Sequence, residues 1–180
     1  MQNNNTNSSI IALLALVFLG SHQPCTWADE DIQGTWEVYK VVINGRQQRL
    51  DTDSPPTVEI GETTLTLMPG EGLPSRKFKI TVGVEADLKI IDMKASQKPY
   101  NRKWNKGIYR FTTIKAPAPK KDNEGKVIKD GNGEIVTMMA DRTVLQICIP
   151  NRVGKTRPTR YESTRGDDWT ILTLLPVEEE

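Results

Sequence analysis

Histidine is nearly absent from this chain of 180 residues: the only one, His22, stands beside Cys25, one of two cysteines, near the N-terminus. Both follow an unbroken apolar stretch, residues 10–19, which is too short to cross a bilayer as a helix and of the right length for the core of a secretory signal. Cleavage after Thr26-Trp27-Ala28, with small residues three before and one before the cut, would discard 1–28 as a signal peptide and start the mature chain at Asp29-Glu30-Asp31. The remainder, 29–180, then holds no imidazole and a single thiol, Cys148. Histidine is the usual general base near neutral pH and the commonest metal ligand. Its absence excludes Ser-His-Asp catalysis, Cys-His catalysis and histidine-based zinc sites from the mature domain, and the lone thiol excludes an internal disulfide.

Other absences narrow the reading further. Residues 1–9 contain no Lys or Arg, which leaves an uncleaved anchor as the alternative to a cleaved signal. Pro24 directly before Cys25 is unlike a lipoprotein signal. With 24 basic against 23 acidic residues the formal net charge is +1, so no long-range field steers the chain toward nucleic acid or an anionic membrane. After signal removal no integral membrane span is expected. No window keeps a helical period of apolar residues over three turns. An exported protein without a disulfide is held by its core, and about 150 residues suffice for one domain that buries roughly 70% of its unfolded surface.

What is present has the rhythm of strands. Short runs rich in Val, Ile, Thr and aromatics recur at 34–43, 57–60, 64–68, 76–82, 88–93, 107–114, 143–149, 159–164 and 169–175. Asn44-Gly45 is the dipeptide of a type I′ hairpin, Gly61-Glu62 a tight reversal, and Gly166-Asp167 introduces the last strand. Eight to nine such strands predict an all-β, single antiparallel barrel or sandwich. Leu65 with Leu67, Phe78 with Ile80, and Leu145 with Ile147 and Ile149 alternate cleanly, whereas Val41-Val42-Ile43 and residues 171–175 are apolar on both faces, which implies a bulge or a covered outer surface. Residues 116–142, with Ala116-Pro117-Ala118-Pro119 leading into two turn-like pieces, read as a hairpin or loop inserted between core strands, either a tolerated insertion or an arm facing a partner in the cell envelope.

Gly34-Thr35-Trp36, then Asn44-Gly45, Gly107-Ile108-Tyr109, Leu145-Gln146-Ile147-Cys148-Ile149, Arg157-Pro158-Thr159 and a closing strand at 170–175 follow one another in an order that resembles the uncharacterised lipocalin-like domain of exported planctomycete proteins. The resemblance spans nearly all of the mature chain except 116–142. It implies a lipocalin-like barrel and export to the periplasm or beyond. It also implies that Gly34 and Trp36 close one barrel end, with Arg157 or Arg160 stacked on the indole at a worth of about 1 kcal/mol.

Tyr39, Phe78, Tyr109, Phe111 and Tyr161, from several strands, either line a cavity or fill the core, and Trp36 joins them if its indole faces a ligand. Cys148 faces opposite Ile147 and Ile149 and reads as a small buried hydrophobe, with a reactive thiol or an intermolecular disulfide as the alternative, and it joins the candidate pocket residues. The basic runs at 102–106 and across Arg152, Lys155, Arg157 and Arg160 read as solvated outer faces rather than a nucleic-acid site. Asp130-Gly131-Asn132-Gly133-Glu134 opens like a calcium loop but has Ile135 and Asp141 where glycine and a bidentate glutamate are required, so a hairpin turn is expected and no metal. Neither Asp51 with Asp53 nor Asp167 with Asp168 has a spacing that singles out a catalytic pair, and 178–180 is a solvated acidic tail. The expected function is therefore an exported, noncatalytic binding protein for a small, partly apolar ligand, with no cofactor. The alternative is a structural or protein-interaction module with a filled barrel core.

Overall fold

The structure, a computed structural model, describes residues 32–51, 54–70, 73–97 and 103–177. The expected signal segment, Asp53, Arg102 and the acidic tail lie outside the described residues. Nine strands run in chain order: β1 Gly34–Ile43, β2 Arg46–Gln47, β3 Thr57–Ile60, β4 Thr64–Met68, β5 Arg76–Glu85, β6 Leu88–Ala95, β7 Asn105–Pro119, β8 Thr137–Pro150 and β9 Trp169–Pro176. Among the described residues there is no helix. All pairings are antiparallel, and β1 pairs β9 from Trp36↔Pro176 to Ile43↔Thr170, which closes an eight-stranded barrel with β2 as an extra strand. β1 shares its other edge, giving residues 34–37 to β3 and Val42 and Ile43 to β2.

Alternation along the strands fills the interior. Trp36 and Val38 of β1, Val58 and Ile60 of β3, Leu65 of β4, Ile80 of β5, Ile91 and Met93 of β6, Tyr109 of β7, Leu145 and Ile147 of β8 and Leu174 of β9 form one buried cluster. A fully buried side chain of this kind contributes about 1.5–3 kcal/mol relative to exposure. Gly107 is part of the same fit: a Cβ there would stand 2.6 Å from Ile149 Cγ2 and 2.8 Å from the Ile91 carbonyl oxygen, so β6, β7 and β8 meet where a side chain has no room.

Both expectations for the doubly apolar runs hold. The β1–β9 register shifts between Val38 and Lys40, a bulge that leaves Tyr39 and Lys40 on one outer face and returns Val41 to the core. The outer faces of Val42, Ile108, Cys148 and Ile171 are covered, because residues 151–168 cross the barrel wall as a strap. Pro158 of the strap is fully buried, and Arg157 anchors it: Nη1 lies 2.6 Å from Asp92 Oδ1 and donates to the Gly107 carbonyl at 2.6 Å, while Nη2 lies 3.2 Å from Glu85. The strap replaces the strand expected at 159–164. Once β9 pairs both β8 and β1, neither flank of β9 is open for that segment to join. Its polar groups are satisfied locally instead, with the Asp167 carboxylate accepting from Thr164 N, Thr164 Oγ1 and Arg160.

The expected insertion at 116–142 is a hairpin, and its stems extend the barrel strands. β7 and β8 stay paired from Ile108↔Cys148 to Pro119↔Thr137, beyond the point where β6 leaves β7. Pro117 and Pro119 fit there because that stretch of β7 has one free edge. The tip repeats one turn twice. Asp122 Oδ1 accepts from the N–H groups of Glu124 and Lys126, and Asp130 Oδ1 from those of Asn132 and Glu134. The calcium-like sequence is thus a turn whose carboxylate is occupied by backbone donors.

Candidate functional site

The antiparallel order puts the starts of β1, β4, β6 and β8 at one end of the barrel and the starts of β3, β5, β7 and β9 at the other. The Trp36 end is shut. Gly34, at a φ of 129° that L side chains rarely adopt, lets the chain fold back so that Trp36 Nε1 donates to the Ile32 carbonyl at 2.9 Å, and Ile32 and the indole both enter the core. Phe111 packs against the indole with ring centroids 6.2 Å apart.

The cation at this end differs from the expected one. Neither Arg157 nor Arg160 stacks on Trp36: Arg157 is held by Asp92 and Gly107 on the outer wall, and Arg160 lies over Trp169, 5.5 Å from the ring centroid, while paired with Asp167. Lys89 supplies the charge, its Nζ 5.5 Å from the Phe111 centroid and 5.7 Å from that of Tyr109. The signal was present in the alternation Lys89-Ile91-Met93, which places the lysine on the inward face where β6 begins.

The seven pocket candidates do not share one cavity. Trp36, Phe78, Tyr109 and Phe111 face the interior. Tyr39, Cys148 and Tyr161 lie on the outer wall, Tyr39 because it alternates with the inward Val38 and Tyr161 because it belongs to the strap. The Tyr161 hydroxyl donates to the Tyr109 carbonyl, and Arg110 lies over the Tyr161 ring at 4.3 Å. Burial pushes the Tyr161 hydroxyl up to about 12 against the opposing effect of Arg110, and burial, with the nearby Asp167 charge second, pushes the Cys148 thiol up to about 12. A thiol so protonated is a packing group rather than a nucleophile. Among the described residues no three His, Cys, Asp or Glu side chains gather as a metal site.

Among the described residues two concavities stand out. One, of about 600 Å³, lies on the outer wall between Tyr39, Ile114, Ile171 and the strap residues 161–163. The other, of about 500 Å³, is the barrel mouth opposite Trp36. Its base is Phe78 and Met93, its sides are Ala95, Asn105 and Val153, and its rim carries Arg76, Lys77 and Lys103. Below that base the interior is solid, since Ile91, Leu145, Ile147 and Leu174 are fully buried. Apart from Phe78, no candidate read from the sequence lines this mouth. Met93 was legible as an inward position in an alternating strand, whereas Lys103 belonged to a basic run whose neighbourhood only the fold reveals.

Comparison with family models, curated proteins and solved structures gives no match. The class that the geometry itself defines is a closed eight-stranded antiparallel β-barrel, sealed at one end by Trp36 and concave at the other.

Proposed function

We propose that this protein is an exported, noncatalytic binding protein that takes a small, partly apolar molecule at the barrel mouth. The carrying observation is the concavity of about 500 Å³ with Phe78 and Met93 at its base and polar groups at its rim. Its size lies in the range of sites that take small ligands. The solid interior makes this a shallow site at the mouth rather than a cavity along the barrel axis. Export to the periplasm or extracellular space rests on residues 1–28, and the lipocalin-like reading on the Gly34-Thr35-Trp36 opening, whose likeness to exported planctomycete proteins supports the same class. The test is a thermal-shift and native-mass screen against lipids, quinones, haem and aromatic compounds, repeated on Val153→Asp, which places a charge on an exposed part of the lining. A ligand that raises the melting temperature of the wild type and loses that effect in the variant supports the reading. A screen without such a ligand overturns it.

The second reading, an interaction module, is favoured by one observation: Met138 and Met139, on the β8 stem of the long hairpin, are 51% and 57% exposed, and Ile135 near its tip is 43% exposed. Removal of 120–136 together with Met138→Ser and Met139→Ser would abolish capture of an envelope partner on this reading. Unchanged capture rules it out.

A further inference from the structure

The mouth combines three features. Arg76, Lys77 and Lys103 stand around one concavity, and no described Asp or Glu lines it. Four cations of the strap and the long hairpin have carboxylate partners, Lys115 with Asp141, Arg152 with Asp168, Arg157 with Asp92 and Arg160 with Asp167, whereas Lys155 and Arg165 of the strap and the lysines of the hairpin tip have none among the described residues. The mouth cations have no such ion pair with any described residue. Lys103 is also directed, its Nζ about 4.0 Å from where a Cβ on Gly154 would lie, so its ammonium stands against the loop that bounds the mouth.

The third feature is Asn105, whose side-chain oxygen is buried without a hydrogen-bond partner although the residue lines the mouth. A buried amide oxygen left unpaired costs about 1–3 kcal/mol. Phe78, Met93, Ala95 and Val153 supply an apolar wall beside these groups.

We infer that the mouth takes a free anionic amphiphile, an apolar body bearing one carboxylate or comparable anionic group, with the anion between Arg76, Lys77 and Lys103 and the body over Phe78 and Met93. This rests on the mouth-binding reading above and adds the charge of the ligand. The solid interior limits the apolar body to what fits across the mouth, so a medium chain or a fused ring suits it better than a long lipid tail.

Calorimetric titration of the purified protein with decanoate, decanol and decyltrimethylammonium, each below its micellar concentration, tests the inference. Decanoate is expected to bind about tenfold more tightly than decanol, with the cation weakest, because three exposed charge contacts each contribute about two- to threefold. The decanoate-to-decanol ratio should fall about two- to threefold in Arg76→Gln and in Lys103→Gln, and should shrink with added salt. Equal affinity for decanoate and decanol overturns the anionic inference and leaves mouth binding standing. Failure of all three to bind removes both. A decanoate preference that survives both substitutions puts the anion elsewhere and overturns the inference. So does sedimentation of the protein with phosphatidylglycerol vesicles without binding of free decanoate, which would assign the basic rim to a membrane surface.

Discussion

At Gly107 a single methyl group decides the packing of three strands. Its would-be Cβ meets Ile149 and the carbonyls of Ile91 and Cys148 within 3 Å, two of them backbone atoms that cannot turn aside. Gly107→Ala should lower stability by about 1–3 kcal/mol, as overpacking does, measured by urea unfolding. A variant as stable as wild type would show that the seam between β6 and β8 is looser than described. Arg157 makes the complementary case, since its guanidinium joins Asp92, Glu85 and the Gly107 carbonyl while its side chain is only 15% exposed. Arg157→Leu leaves Asp92 half-buried and unpaired, and should cost about 3 kcal/mol by the same assay. Arg157→Lys should recover only part of this, because an ammonium cannot reproduce the planar fork.

Among the elements, legibility followed local pattern. β1, β3 and β4 have the bounds their alternation and turn residues predict, and Asn44 and Gly45 take φ of 51° and 75° in the expected hairpin turn. The strap was not legible: Thr159, Tyr161 and Ser163 alternate like a strand, and it is the pairing of β9 with both β8 and β1 that denies them a place beside the last strand. Arg157-Pro158-Thr159 was recognised as a motif but assigned to the wrong place, since the partner of an arginine depends on contacts between residues 65 apart in sequence. The stems of the long hairpin were hidden by Pro117 and Pro119, which break a central strand but not one with a free edge. The tip, 120–136, contributes no residue to the core clusters, so its removal with a short turn joining Pro119 to Thr137 should change stability by no more than about 0.5 kcal/mol. A larger loss in urea unfolding would mean that the tip supports the barrel.

For the whole molecule, the strap makes stability depend on alkali. The Cys148 thiol and Tyr161 hydroxyl rise from ordinary values of 9.0 and 10.0 to about 12, both chiefly through burial beneath or within the strap. Folded values above unfolded ones contribute stability that is complete below about pH 9 and is lost as pH rises toward 12. The melting temperature should therefore fall over that window. Cys148 in the folded protein should resist Ellman's reagent at pH 8, where the unfolded chain reacts readily. Rapid reaction of the native thiol would contradict the buried placement of Cys148 under the strap. At the acid end Asp167 acts in the opposite sense: its bonds from Thr164 and Arg160 hold its carboxyl below the usual value, so its contribution is present above that value and lost as pH falls through the lower folded one.

The barrel as a whole divides the labour by end: Ile32, Trp36 and Phe111 shut one, a solid middle bars the axis, and Phe78, Met93, Asn105 and the basic rim shape the other. Chemical-shift mapping of the backbone amides during titration with decanoate tests this division most directly. Shifts concentrated in residues 76–78, 93–97, 103–105 and 151–153, with Trp36 and the outer wall at Tyr39 and Tyr161 unmoved, are the predicted result. Shifts centred on the outer wall or on the Trp36 end, or none at saturating ligand, would contradict it.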